Sequence, residues 1–107
     1  MATVHTERMR QLLKMLEREP EDAFLLYGLA LEHKKAGNLS DAIPLLDRVI
    51  TLDPGYCYAF HQKGLIYESL DERENARKAY RDGIAAARKK GDDHAAREIE
   101  GALMMLE

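Results

Sequence analysis

Apolar side chains recur at every third or fourth position along most of the chain. That spacing places them on one side of an α-helix. Met9, Leu12, Leu13 and Leu16 form the first such stripe and predict a helix from about Val4 to Arg18. A second helix starts at Asp22, whose side chain suits an N-cap, and stops at Gly37, which readily takes the left-handed conformation of a helix end. Ser40 can cap a third helix that continues to Leu52, with Pro44 in its first turns, where a missing N–H is tolerated. A fourth runs from about Tyr56 to Leu70, and Asp71 follows it where the earlier hairpin has Gly37; Asp is one of the few residues that accept a left-handed turn. A fifth spans about Arg73 to Lys90 and ends at Gly91. Asp92 or Asp93 caps a sixth, with the stripe Ala95, Ile99, Ala102, Leu103 and Leu106. No stretch alternates with a period of two, so no strand is predicted.

A slower period runs beneath the helical one. Pro20 and Pro54 are 34 residues apart, and each follows an acidic residue. The same shift brings Leu26 onto Phe60, Ala30 onto Gly64, His33 onto Tyr67, Ala42 onto Ala76 and Leu46 onto Tyr80. Shifted backwards, Leu12 falls on Leu46, Met15 on Val49 and Leu16 on Ile50. Large residues meet large ones and small meet small. Ala30 and Gly64 are small because two helices cross closely there; Ala42 and Ala76 do the same on the second helix of each pair. The large residues fill the space between those crossings.

These residues carry a resemblance. A large apolar residue, Leu-Gly, Tyr, Ala-x-x-x-Phe and a closing Pro, repeated every 34 residues, is the tetratricopeptide pattern. The first unit reads Leu26, Leu29-Ala30, His33, Ala42, Leu46, Pro54; the second reads Phe60, Lys63-Gly64, Tyr67, Ala76, Tyr80. His33 departs from the pattern's tyrosine, Lys63 from its leucine and Arg88 from its proline, and Arg88 lets the second unit's closing helix run on to about Lys90. The resemblance implies an all-α fold, an alpha-alpha superhelix of about six antiparallel helices in a single domain, 1–107. Within it lie an amino-terminal half-repeat helix (4–19), two full repeats (23–56 and 57–90) and a capping helix (93–106). Terminal caps are needed because an inner repeat has two apolar faces.

The resemblance also implies where a partner sits. In proteins of this type the first helix of each pair lines a concave groove for a peptide or helix. Carried over by position, the groove residues are Phe24, Tyr27, Leu31 and Lys34, then Tyr58, His61, Leu65 and Glu68. Three-to-four spacing gives each set one helix face, an apolar-aromatic trough with polar ends. The plainer alternative is that these side chains pack against neighbouring helices. One branch of the family grips acidic carboxyl-terminal tails with Lys, Asn and Arg. The corresponding places here hold Tyr27, Leu31 and Gln62, so that clamp is missing as a set.

Composition narrows the partner class. With 46% apolar and 33% charged residues in 107, the chain suits one folded domain. The net charge of −3, with both signs interspersed, lacks the basic balance that a phosphate backbone demands. No apolar run reaches membrane-spanning length. The expected partner is a protein or peptide, with no nucleic acid and no membrane. One cysteine, Cys57, and a charged start without an apolar signal core fit a cytoplasmic protein.

No metal or other cofactor is expected: His5, His33, His61 and His94 lack zinc-ligand spacing from one another or from Cys57. His33 reads as a hydrogen-bonded interior residue. His61 faces the expected groove, which allows pH-dependent binding between about pH 5 and 8. Cys57 has no second cysteine or adjacent base. Asp92-Asp93-His94 is explained by helix capping, and Arg88-Lys89-Lys90 by a helix end that favours cations. Glu72, Glu74 and Glu98 read as exposed surface charge. Without a phosphate loop, nucleophile elbow or catalytic carboxylate pair, no enzyme is expected. The competing expectation is a homodimer built through the carboxy-terminal helix, where Met104, Met105 and Leu106 form a cluster that one helix only partly buries.

Overall fold

A computed structural model describes residues 5–107. The described residues form six α-helices and no strand: α1 Glu7–Arg18, α2 Ala23–Lys35, α3 Leu39–Leu52, α4 Cys57–Ser69, α5 Arg73–Lys90 and α6 Asp93–Leu106. The all-α fold expected from the stripes is present. Val4, the expected start of the first helix, lies outside the described residues. The cap observed there is Thr6, whose hydroxyl accepts from the Met9 amide at 3.2 Å.

Local chemistry sets the other boundaries. Asp22 accepts from the Leu25 amide at 3.0 Å, and Asp92 from the Ala95 amide at 3.0 Å. Each carboxylate satisfies an amide that the first helical turn leaves unpaired and places negative charge at the positive helix end. Helices α2, α4 and α5 are followed by Gly37 (φ 85), Asp71 (φ 59) and Gly91 (φ 82). After each, the next amide turns back to a carbonyl of the last turn: Asn38 to His33, Glu72 to Tyr67 and Asp92 to Ala87, each at 2.8 Å. Ser40 does not cap α3. The helix already includes Leu39, and its entry is fixed by the Asp41 amide bonding the Asn38 carbonyl at 3.2 Å. Pro44 stays within α3, leaving the Ser40 carbonyl without its usual helical donor.

The chain divides into two compact units, one ending at Leu52 and one beginning at Asp53. In the first, α2 packs against both α1 and α3. Met9, Leu12, Leu25 and Leu29 are buried together, with Leu16, Ala36 and Leu45 against them. Ala30, Ala42, Leu46 and Val49 are also buried. Only part of the expected α1 stripe is interior. Leu13 is exposed, because Met9, Leu12 and Leu16 follow the α2-facing side and Leu13 turns away from it.

In the second unit α5 packs against α4 and α6, with a smaller contact between α4 and α6. Tyr80, Ile84, Ala87, Ala95, Ala96, Ile99 and Leu106 form one buried cluster with Cys57 and Ala76. The small residues do what the repeat predicted. A Cβ built on Gly64 would lie 2.6 Å from Tyr80 Cζ and nearer still to the ring edge, so only hydrogen fits under that ring. Gly83 makes a second close approach: its Cβ would meet Phe60 Cβ at 2.8 Å and Ile99 Cδ1 at 3.3 Å. Each fully buried large side chain contributes roughly 1.5–3 kcal/mol relative to exposure. Among the described residues, no helix is long and apolar enough to cross a membrane.

Candidate functional site

On α2, alternation of burial around the helix separates two faces. Leu25, Leu26, Leu29, Ala30 and His33 are buried. Phe24, Tyr27, Leu31 and Lys34 occupy the other side, where Tyr27, Leu31 and Lys34 are half-buried and Phe24 is 74% exposed. Phe24 thereby adds an open phenyl ring to a face that already carries the half-buried Tyr27 and Leu31. Burial lowers the Lys34 pKa from its ordinary range. His33 is interior, as expected from its place in the repeat. Its Nδ1 is 3.2 Å from Asn38 Nδ2, and the His5 ring stands edge-on at 6.0 Å. Burial is the largest influence and lowers the His33 pKa; Asp41 opposes this and His5 adds to it.

On α4, Tyr58, His61 and Leu65 are half-buried and Glu68 is exposed. Tyr58 and His61 stack at 6.5 Å with their planes 24° apart, and His61 meets the buried Tyr80 edge-on at 6.0 Å. The result is a short ladder of rings running from the surface into the core. Its two ends are fixed by carboxylates. The Tyr80 hydroxyl donates to Glu68, and the Tyr58 hydroxyl donates to Glu98 Oε1 at 3.0 Å. The Glu98 hydrogen bond is the main reason the Tyr58 phenol is pushed up to about 12, with burial and nearby negative charge adding to it. Burial and then Glu68 push Tyr80 up as well.

Glu98 therefore has a role that the sequence pattern missed. It sits on α6, holds Tyr58 on α4, and lies 2.7 Å from His94 Nε2 one turn earlier. The only sequence signal was the His94–Glu98 spacing of four. Lys63, the departure from the repeat's leucine, keeps its ammonium 5.9 Å from the Tyr67 ring centroid, a cation–π contact that suits a lysine at that place. Cys57 is buried, with its sulfur 3.9 Å from Asp92 Oδ2. Arg88 pairs with Glu100 at 2.8 Å. At the carboxy end, Leu106 is buried whereas Met104 and Met105 are 76% and 89% exposed.

Known proteins share the repeat and the fold. Residues 58–90 match the family model described as tetratricopeptide repeat. A TPR repeat-containing protein of Pseudomonas aeruginosa is 30% identical over 94 residues, covering 88% of this chain and 90% of the relative. The solution structure of a tetratricopeptide repeat domain protein from Salinibacter ruber superposes with a TM-score of 0.77 at 36% identity, over 82% of this chain and 89% of that one. A protein of Bordetella parapertussis superposes with a TM-score of 0.83 at 25% identity, over 95% and 89%. Repeat spacing, tight helix crossings and likeness over most of two chains lead to one conclusion: this chain belongs to the tetratricopeptide repeat family.

Proposed function

We propose that this chain binds a protein or peptide through the outward faces of α2 and α4, each supplying its own contacts. The tetratricopeptide fold is in general a protein–protein interaction scaffold, and that coarser statement holds for the family to which the chain belongs. The observation that carries the finer reading is Phe24, a large aromatic left 74% exposed beside Tyr27 and Leu31 on a helix whose other side is fully packed. Desolvating such a ring against a partner is worth more than most polar contacts at an interface. On α4, the Tyr58–His61 stack offers a flat apolar surface whose hydroxyl end is already held by Glu98. A ring held in place loses little freedom on binding, which favours affinity. Lys34 ends the α2 face and Glu68 ends the α4 face, so each face offers an apolar surface with a charged end.

Capture of partners from cell extract by wild type, Tyr27→Ala, Tyr58→Ala and the double variant tests this. The partners retained by wild type should be depleted by each single change and lost in the double. A double variant that keeps its helical circular dichroism and its partners contradicts the reading.

Self-association through α6 is a second reading, favoured by one observation: Met104 and Met105 are exposed side by side beyond the buried Leu106. Two copies would bury these methionines against each other across a two-fold axis. Light scattering should then report a dimer that Met104→Ala/Met105→Ala reduces to monomer. A monomeric wild type, or a dimer that survives both changes, rules it out.

A further inference from the structure

The outward face of α1 carries a pattern of its own. Arg8, Gln11, Met15 and Arg18 follow one another at helical spacing, with Lys14 alongside, and together they line a shallow depression of about 430 Å³. Met15 is 49% exposed on its floor. The same register on α5 is occupied differently: Ala76, Ala79 and Gly83 are buried, and Gly83 presses against Phe60 and Cys57 of α4. On α3 the counterpart of Met15 is Val49, which is fully buried. The face that α5 uses to receive a helix is thus open on α1, and small apolar residues are replaced there by cations around a methionine.

Those cations are uncommitted. Arg10 on the same helix pairs with Glu7, and elsewhere Lys78 pairs with Asp82, Arg77 and Arg81 with Glu107, and Arg88 with Glu100. Among the described residues, Arg48 on α3, Lys89 and Lys90 at the end of α5 and Arg97 on α6 also lack a carboxylate partner, but none of them surrounds an exposed methionine. Among the described residues, Arg8, Lys14 and Arg18 have no carboxylate partner. Three unpaired positive charges on one helical stripe favour a negatively charged occupant, and the register fits a helix.

We infer that this face docks an acidic amphipathic helix of a partner protein, which sets an apolar residue on Met15 and carboxylates against Arg8, Lys14 and Arg18. The site is separate from the α2 and α4 faces. The guanidiniums supply paired donors for carboxylates, and methionine adapts to whichever apolar side chain arrives.

The probe is a fluorescein-labelled helical peptide with a leucine stripe flanked by glutamates; its counterpart carries lysine in place of every glutamate. Anisotropy should show binding of the acidic peptide and none of the basic one, with affinity falling as salt rises. Arg8→Glu/Arg18→Glu, an exposed change checked by circular dichroism, should weaken binding roughly tenfold or more, and Met15→Ala should weaken it without altering the salt dependence. Tyr27→Ala/Tyr58→Ala should leave it unchanged, which separates this site from the one proposed above. Equal binding of both peptides, no effect of the charge reversal, loss in the tyrosine variant instead, or binding to phosphatidylserine vesicles in preference to the acidic peptide would each overturn the inference.

Discussion

Tyr80 packs against Gly64 with no room for a methyl group between them: a Cβ there would stand 2.6 Å from Tyr80 Cζ and closer still to the ring edge. One repeat earlier the pair at these positions is Leu46 and Ala30, both buried. The bulk removed on one helix is added on the other. Gly64→Ala should therefore destabilise the chain by about 1–3 kcal/mol, since the ring is locked in a packed core. Gly64→Ala/Tyr80→Leu, which reproduces the first pair, should recover most of that loss. Urea denaturation of the three variants measures the compensation.

Asp71 bears a left-handed backbone that its counterparts Gly37 and Gly91 bear without a side chain. Asp71→Gly should raise stability by up to about 1 kcal/mol, because the strain on a side chain in that region exceeds the entropy that glycine adds to the unfolded chain. Gly37→Ala and Gly91→Ala should lower it by a similar amount. Thermal unfolding at fixed pH resolves both signs.

His33 couples stability to pH. Folding lowers its pKa below the ordinary 6.5, mainly by burial, against the pull of Asp41 and with the help of His5. The unfolded chain thus takes up the proton more readily than the folded one. The contribution from His33 is full above about pH 6.5 and is lost as the pH falls through that value toward the folded-state pKa. His33→Gln, which keeps a polar partner for Asn38 and does not titrate, should flatten this part of the pH profile. Denaturant midpoints collected from neutral to mildly acidic pH would show it.

Tyr58 offers a spectroscopic test of the ring ladder. Its phenol is pushed up to about 12, chiefly by the hydrogen bond to Glu98. Glu98→Ala removes the acceptor and the charge, so the titration of this tyrosine should move back toward 10. Ultraviolet titration of wild type and variant reports the difference directly.

The helices were legible because their stripes, caps and stop residues are local: Asp22, Asp92, Gly37 and Gly91 act through hydrogen bonds within a few residues. The crossings were legible because the repeat displays the Gly64–Tyr80 complementarity in a second version. Ser40 misled, since its hydroxyl suits a cap but α3 begins before it. Leu13 misled too, because it is apolar and yet turned away from α2. Of the expected site, the sequence placed Tyr58 and His61 on one face of α4 but hid what fixes them. Glu98 is 40 residues from Tyr58, and no local pattern predicts a hydrogen bond across that interval.

Chemical-shift mapping is the most direct test of the binding surface. Amide spectra of the labelled chain, recorded while a captured partner is added, should shift at Phe24, Tyr27 and Leu31 on α2 and at Tyr58, His61 and Leu65 on α4. Tyr27→Ala/Tyr58→Ala should abolish those shifts. Perturbations that leave both sets untouched and gather on other surfaces would contradict the account.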